Sequence, residues 1–166
     1  MLDEKSFRNA KILLVDDERS CTNLMRSMLE GAGYTHVHAT NDPREAAKLY
    51  ASLRPDIVVL DLNMPKLDGF GVLSELASVE QEAWLPVLVV SGEDASAVLL
   101  KCLESGARDF VGKPYQRVEV LTRIRNMLEV RLLHNEVRDQ NRLLEDRVRA
   151  RTAELRETQF EVIRRL

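Results

Sequence analysis

Five short, largely apolar runs separated by stretches of helical pattern constrain this chain more than any other feature. The runs are Lys11–Val15 (KILLV), His36–Ala39, Ile57–Leu60 (IVVL), Val87–Val90 (VLVV) and the pair Phe110-Val111. A continuous apolar run of four or five residues, ended by acidic or turn residues, reads as a strand buried on both faces. Between the first two runs, Leu24, Met25, Met28 and Leu29 recur at helical spacing, with Ser20 or Thr22 as the expected cap and Gly31 and Gly33 as the stop. Asp42-Pro43 places a capping side chain before a proline at the first helical position, opening a helix that ends before Pro55. A loop with Asn63-Met64-Pro65 and Asp68-Gly69 precedes a helix over Phe70–Ala77, and a further helix through Val98–Leu103 ends at Ser105-Gly106. Five strands alternating with helices predict right-handed βαβ units. The fold class is therefore α/β, a doubly wound parallel sheet covered on both faces.

In an open parallel sheet, ligands bind outside the carboxyl ends of the strands. Asp16 and Asp17 follow the first strand, Asp61 the third, Ser91 the fourth and Lys113 the fifth. One acid at a strand end is commonly a helix cap; these positions at the ends of four strands are a constellation. Crowded carboxylates raise each other's pKa and cost stability unless a cation offsets them. A hard divalent ion with oxygen ligands suits them, and Mg2+ needs few carboxylates and accepts phosphate oxygens as further ligands. An aspartate beside such an ion can attack phosphorus and form an acyl phosphate. Lys113 would neutralise the equatorial oxygens, and Lys113 with Ser91 would hold the bound phosphoryl group.

The segments Leu13–Glu18 (LLVDDE), Val58–Gly69 (VVLDLNMPKLDG), Val89–Glu93 (VVSGE) and Gly106–Pro114 (GARDFVGKP) closely resemble the receiver domain of two-component response regulators, over about residues 8–128. The resemblance implies a flavodoxin-like five-stranded fold and a sensor histidine kinase that donates phosphate to Asp61. It implies that Asp17 ligates Mg2+ directly, that Asp16 does so directly or through water, and that Asp61 is both ligand and acceptor. The backbone carbonyl of Asn63 completes the protein ligands. Ser91 stands where the family has Ser or Thr and swings to the phosphate after modification. Phe110 matches the aromatic switch that follows it, as phenylalanine where tyrosine is common; as plain sequence it is also an ordinary core aromatic. The Lys113-Pro114 bond is cis by the same resemblance, and Asn63 and Glu93 lie where side chains tune acyl-phosphate lifetime.

From Tyr115 to Leu166 there is no glycine or proline. About 50 such residues, rich in Arg, Glu, Leu and Ala, should form a helix of roughly 75 Å. A heptad frame puts Met127, His134, Asn141, Val148, Leu155 and Val162 at a, and Val130, Val137, Leu144, Arg151, Thr158 and Arg165 at d. The seam is broken, and Asn141 at a favours an in-register parallel dimer at some cost in stability. The alternative is a lone linker helix that packs on a further domain. The expected division is a receiver at 1–128 and a coiled-coil linker at 129–166. Glu129–Leu166 resembles the connector of response regulators with a C-terminal HD-GYP domain, which are metal phosphodiesterases of cyclic di-GMP. Neither an HD pair nor a GYP triplet occurs here, so that output would lie beyond Leu166, and the chain itself is expected to be no enzyme.

Charge follows the same division. Residues 117–166 carry 12 Arg against 9 acids, leaving 12 basic and 18 acidic residues for 1–116. The charges of the tail interleave, which describes a solvated helix and not a nucleic-acid arm. The acidic front and the lack of a recognition-helix module also argue against DNA binding. No apolar run approaches the roughly 20 residues of a membrane span, and the N-terminus lacks a signal-peptide stretch, so a cytoplasmic protein is expected. Cys21 and Cys102, without metal-site spacing, are expected to be small buried hydrophobes. Two enzyme classes fit poorly. A haloacid-dehalogenase phosphatase wants a second acid two residues after its nucleophile, where this chain has Asn63, and a dinucleotide-binding enzyme wants a glycine-rich turn where this chain has Asp-Asp-Glu. A stand-alone dimerising adaptor remains as an alternative to a fragment of a longer regulator.

Overall fold

A computed structural model describes residues 2–80, 84, 86–92 and 95–166, so Glu93 lies outside the described residues. Five parallel strands, β1 (Lys11–Val15), β2 (His36–Thr40), β3 (Ile57–Asp61), β4 (Val87–Ser91) and β5 (Asp109–Gly112), form one sheet in the order β2-β1-β3-β4-β5. The helices are α1 (Glu4–Arg8), α2 (Arg19–Gly31), α3 (Ala46–Leu53), α4 (Gly69–Val79), α5 (Ala95–Glu104) and α6 (Arg117–Arg165). The order reverses at β1 and β3, which makes the crevice between their carboxyl ends the place for a ligand.

The two-residue period of a strand sends alternate side chains to opposite faces. Leu13, Val15, Val58, Leu60, Val87, Val89 and Phe110 face one layer, packed with Tyr50 of α3, Val72, Leu73 and Leu76 of α4 and Cys102 of α5. Ile12, Leu14, Ile57, Val59, Leu88, Val90 and Val111 face the other, packed with Phe7 of α1, Met25 and Leu29 of α2 and Val120, Ile124, Met127 and Leu128 of α6. Burial on both faces is why the central strands can be unbroken hydrophobe. Each fully buried Leu or Ile contributes roughly 2 kcal/mol.

Several local expectations shift. Ser20 and Thr22 do not cap α2; the helix starts at Arg19 with Glu18 as N-cap. The turn is set earlier, where an Asp16 carboxylate oxygen accepts the Glu18 amide at 2.9 Å, and Thr22 instead donates its hydroxyl to the Arg19 carbonyl at 3.0 Å. Asp42 does cap, accepting the Arg44 amide, although the turn it opens is a 3-10 turn at Pro43–Glu45 that runs into α3. Helix α1 was not anticipated; Asp3 caps it by accepting the Ser6 amide, and Phe7 anchors it in the core. Leu24 is exposed, because Thr22, Met25 and Leu29 take the inward face of α2.

The chain divides into two compact units, Met1–Leu132 and Leu133–Leu166. The first extends past Met127 because Leu128 and Arg131 are still buried. Met127, placed at an a position of the helical seam, is itself core: it sits about two turns after Val120 on the face that covers the sheet. In the second unit, helical to Arg165, every residue from Asn141 onward is exposed. Among the described residues, no helix is long and apolar enough to cross a membrane.

Candidate functional site

Strand ends build the site. Asp16 and Asp17 leave β1, Asp61 is the last residue of β3, Ser91 the last of β4, and Lys113 follows β5 directly. The register carries this convergence, pairing Asp61 with Val90 and Ser91 with Gly112. Carboxylate oxygens of Asp16, Asp17 and Asp61 lie within 4.8 Å of one another. Lys113 Nζ stands 3.6 Å from Asp16 Oδ2 and 3.6 Å from Asp61 Oδ1. Asp61 and Ser91 are buried, and the Asn63 amide donates to Asp61 Oδ1 at 3.4 Å. Asn63 itself is exposed, two residues beyond Asp61. The Lys113 amide donates to the Ser91 carbonyl at 2.7 Å, and the Lys113-Pro114 bond is cis. Phe110 is buried in β5 within the first core layer.

Burial pushes the Asp61 carboxyl above its ordinary value; Lys113 works against that rise, and Asp16 and Asp17 add to it. Asp16 is likewise raised, mainly by burial, in spite of the Glu18 amide and Lys113. For Lys113, burial favours loss of the proton, but Asp61 and Asp16 outweigh it and hold the ammonium above its ordinary value. Three acids answered by one lysine leave a net negative hollow of oxygen ligands. Such a donor set fits a hard divalent cation and offers nothing to a soft one.

Sequence reasoning missed other parts of the site. Asn41, just past β2, donates Nδ2 to the Asp16 carbonyl at 2.7 Å and to Thr22 Oγ1 at 3.2 Å. It thereby ties the acidic turn to the first turns of α2. Tyr115 and Cys21 line the same small cleft as Asp16, Asp61 and Lys113. Cys102 is buried as expected, but Cys21 is only half-buried, one step round the helix from inward-facing Thr22. A lone asparagine or tyrosine in a loop carries no local signal for such contacts. Asn41→Ala is expected to raise the Mg2+ concentration needed for half-maximal phosphorylation by about tenfold. The maximal rate should change far less, a split that a titration of labelling rate against Mg2+ resolves.

Comparison with known proteins agrees with this geometry. The family model of the response regulator receiver domain matches residues 12–125. Response regulator MprA of Mycolicibacterium vanbaalenii is 42% identical over 118 residues, which are 71% of this chain and 50% of that protein. Its counterpart in Mycobacterium leprae is 40% identical over 118 residues, with the same coverage of 71% and 50%. The chain thus spans about half the length of the curated relatives it matches. Among solved structures, Vibrio cholerae chemotaxis protein CheY4 superposes with a TM-score of 0.67 at 28% identity, covering 72% of this chain and 98% of that one. The receiver domain of the Pseudomonas aeruginosa sensor histidine kinase PA1611, solved with magnesium coordinated in its active site cleft, gives 0.66 at 25% identity, covering 73% and 98%. A flavodoxin-like sheet, strand-end acids facing a lysine, and a family match over most of the first unit lead to one conclusion: the chain belongs to the response regulator receiver domain family of two-component systems.

Proposed function

We propose that Asp61 accepts a phosphoryl group from the phosphohistidine of a sensor histidine kinase, and that the modified domain signals through α6. The observation that carries this reading is the meeting of Asp16, Asp17 and Asp61 oxygens within 4.8 Å, faced by Lys113. A receiver is a regulatory phosphoacceptor module and not an enzyme acting on a separate substrate. Asp16, Asp17, Asp61 and the Asn63 carbonyl would hold Mg2+, which when bound supplies positive charge for the phosphoryl oxygens. Asp61 attacks phosphorus through a carboxylate oxygen; the P–N bond to the donor imidazole breaks and its electron pair returns to that ring. Lys113 stays protonated through the transfer and pairs with the incoming oxygens. Ser91, buried at the end of β4, donates its hydroxyl to the phosphoryl group, and Phe110 moves into the space that this rearrangement opens.

The exposed apolar residues of α6 support pairing with a second copy. Val130, Val137, Leu144, Val148, Leu155 and Val162 follow the heptad frame, and each is more than half exposed. Polar Asn141 and Arg151 interrupt the seam, so the pair should be weak and open to control by the receiver. Light scattering is expected to show a dimer for the whole chain and a monomer for one ending at Leu132; equal monomeric masses rule the seam out as a dimer interface. For the output, the resemblance of Glu129–Leu166 to HD-GYP connectors supports a cyclic di-GMP phosphodiesterase following this chain. The family match ends at residue 125 and does not bear on that choice. Signalling to the output without nucleic-acid contacts from this chain, in the cytoplasm, is part of the same reading.

Incubation with acetyl phosphate and Mg2+ tests the proposal. Mass spectrometry should find one added phosphoryl group, lost on chelation of Mg2+ before labelling. A phosphoryl group mapped to another residue overturns it.

A further inference from the structure

At the end of the sheet opposite Asp61 lies a buried polar cluster that phosphoryl transfer does not use. Arg131, one turn past Leu128, is buried, with its guanidinium Nη2 3.8 Å from Glu80 Oε2 and both side chains less than a tenth exposed. Arg131 Nη1 donates to the Trp84 carbonyl at 3.3 Å, and its guanidinium carbon lies 5.8 Å from the Trp84 ring centroid. Arg108, just before β5, approaches the same ring at 5.3 Å. Tyr50 of α3 donates its hydroxyl to Glu80 Oε2. Burial and the adjoining carboxylate push that phenol far above its ordinary value, which keeps it a donor.

Glu80 is also the C-cap of α4, its amide donating to the Leu76 carbonyl at 2.9 Å. The other end of α4 is fastened to the acceptor loop. The Gly69 amide donates to the Leu62 carbonyl at 3.0 Å, and a methyl group on Gly69 would stand 2.9 Å from the Asp61 carbonyl oxygen. Between those ends Val72, Leu73 and Leu76 are fully buried. A packed helix of this length moves as a body, because interiors are close-packed and deform little. A buried ion pair is sensitive to small displacements, since each partner lacks solvent to replace the other.

We infer that α4 couples the state of Asp61 to the root of α6, through the Glu80–Arg131 pair. This rests on Asp61 being the phosphoacceptor. Modification shifts the loop between β3 and α4, α4 moves with it, and the Glu80 carboxylate changes its hold on Arg131. Coupling of this kind is reciprocal: whatever the phosphoryl state does to the pair, loss of the pair does to the affinity for a phosphoryl mimic. Spatial continuity alone does not establish coupling, so that reciprocity is the test.

Beryllofluoride with Mg2+ serves as the mimic, and its binding to the whole chain is followed by 19F NMR. Trp84 is the single tryptophan of the chain, so its emission reports on the cluster directly. Saturating beryllofluoride should change Trp84 emission in the parent chain and leave it unchanged in Asp61→Asn. Arg131→Met should move the beryllofluoride midpoint at least threefold. Tyr50→Phe, which keeps the ion pair and its fold, should move it in the same direction by a smaller factor. Bound beryllofluoride with no change in Trp84 emission overturns the coupling, as do unchanged midpoints in both variants. If Arg131→Met fails to fold, an unchanged Tyr50→Phe midpoint together with a silent Trp84 overturns it equally. Absence of beryllofluoride binding to the parent chain overturns the assignment of Asp61, and the coupling with it.

Discussion

Asp61→Asn is expected to abolish phosphorylation by acetyl phosphate or a kinase and, in the absence of Mg2+, to make the chain more stable. The first effect follows from chemistry: the amide keeps the shape of the side chain but has no anionic oxygen to attack phosphorus. The second follows from burial. The Asp61 carboxyl is raised above its ordinary value by burial, so the folded state holds a proton there more tightly than the unfolded chain does. With more protons bound in the folded state, stability falls as pH rises from the ordinary carboxylate value through the raised one, and stays low at neutral pH. Asparagine removes that loss, and Lys113 keeps Asp16 as a partner. A gain of about 1 kcal/mol at pH 7 is expected, shrinking as the pH falls through the raised carboxyl value and the parent takes up its proton. Added Mg2+ should reverse the ranking, since it stabilises only the chain that binds it. Calorimetric melting at pH 7 and below the raised carboxyl value, with and without Mg2+, checks all three signs. A parent chain that is more stable than Asp61→Asn without Mg2+ at pH 7 would contradict this account of the site.

Gly69→Ala should be the most damaging small substitution in the first unit. A Cβ there would lie 2.6 Å from Leu62 Cα, 2.6 Å from Leu62 Cδ2 and 2.9 Å from the Asp61 carbonyl oxygen. Two of those neighbours are backbone at the end of β3 and cannot swing aside. Helix α4 must lift from the strand that carries Asp61, at a cost of about 3 kcal/mol. Urea denaturation should show that loss, and the labelling rate with acetyl phosphate should fall with it, because the same displacement moves Asp61. Gly92→Ala is the control: a Cβ there meets nothing within 4 Å, so stability should stay within about 0.5 kcal/mol of the parent.

These two positions mark the limits of reading the chain as a string. The position of Asp61 beside the other acids was legible because a parallel sheet brings its strand ends together whatever the details of packing. A residue that ends a strand is placed to within a few ångströms by topology alone. Gly69 read only as part of a loop, since its importance lies in a backbone approach that no local pattern encodes. The same holds for Asn41, whose hydrogen bond to the Asp16 carbonyl joins β2 to the acidic turn. Cys21 and Met127 show the complementary failure. Helices were expected around both, but rotation about the helix axis decided that Cys21 borders the acidic cleft and that Met127 belongs to the core.

The amino-acid sequence by itself determined the α/β class, the five strands and the placing of Asp16, Asp17, Asp61 and Lys113 at strand ends. Those depend on runs of hydrophobe and on residues adjacent to them, which are local in the chain. Only the tertiary structure decided where the first unit stops and how α4 is held at both ends. It also decided which residues of α6 are covered. Those depend on close approach between distant segments, Glu80 with Arg131 and Gly69 with Leu62. Such contacts form where packed surfaces meet, and packing is a property of the assembled layers.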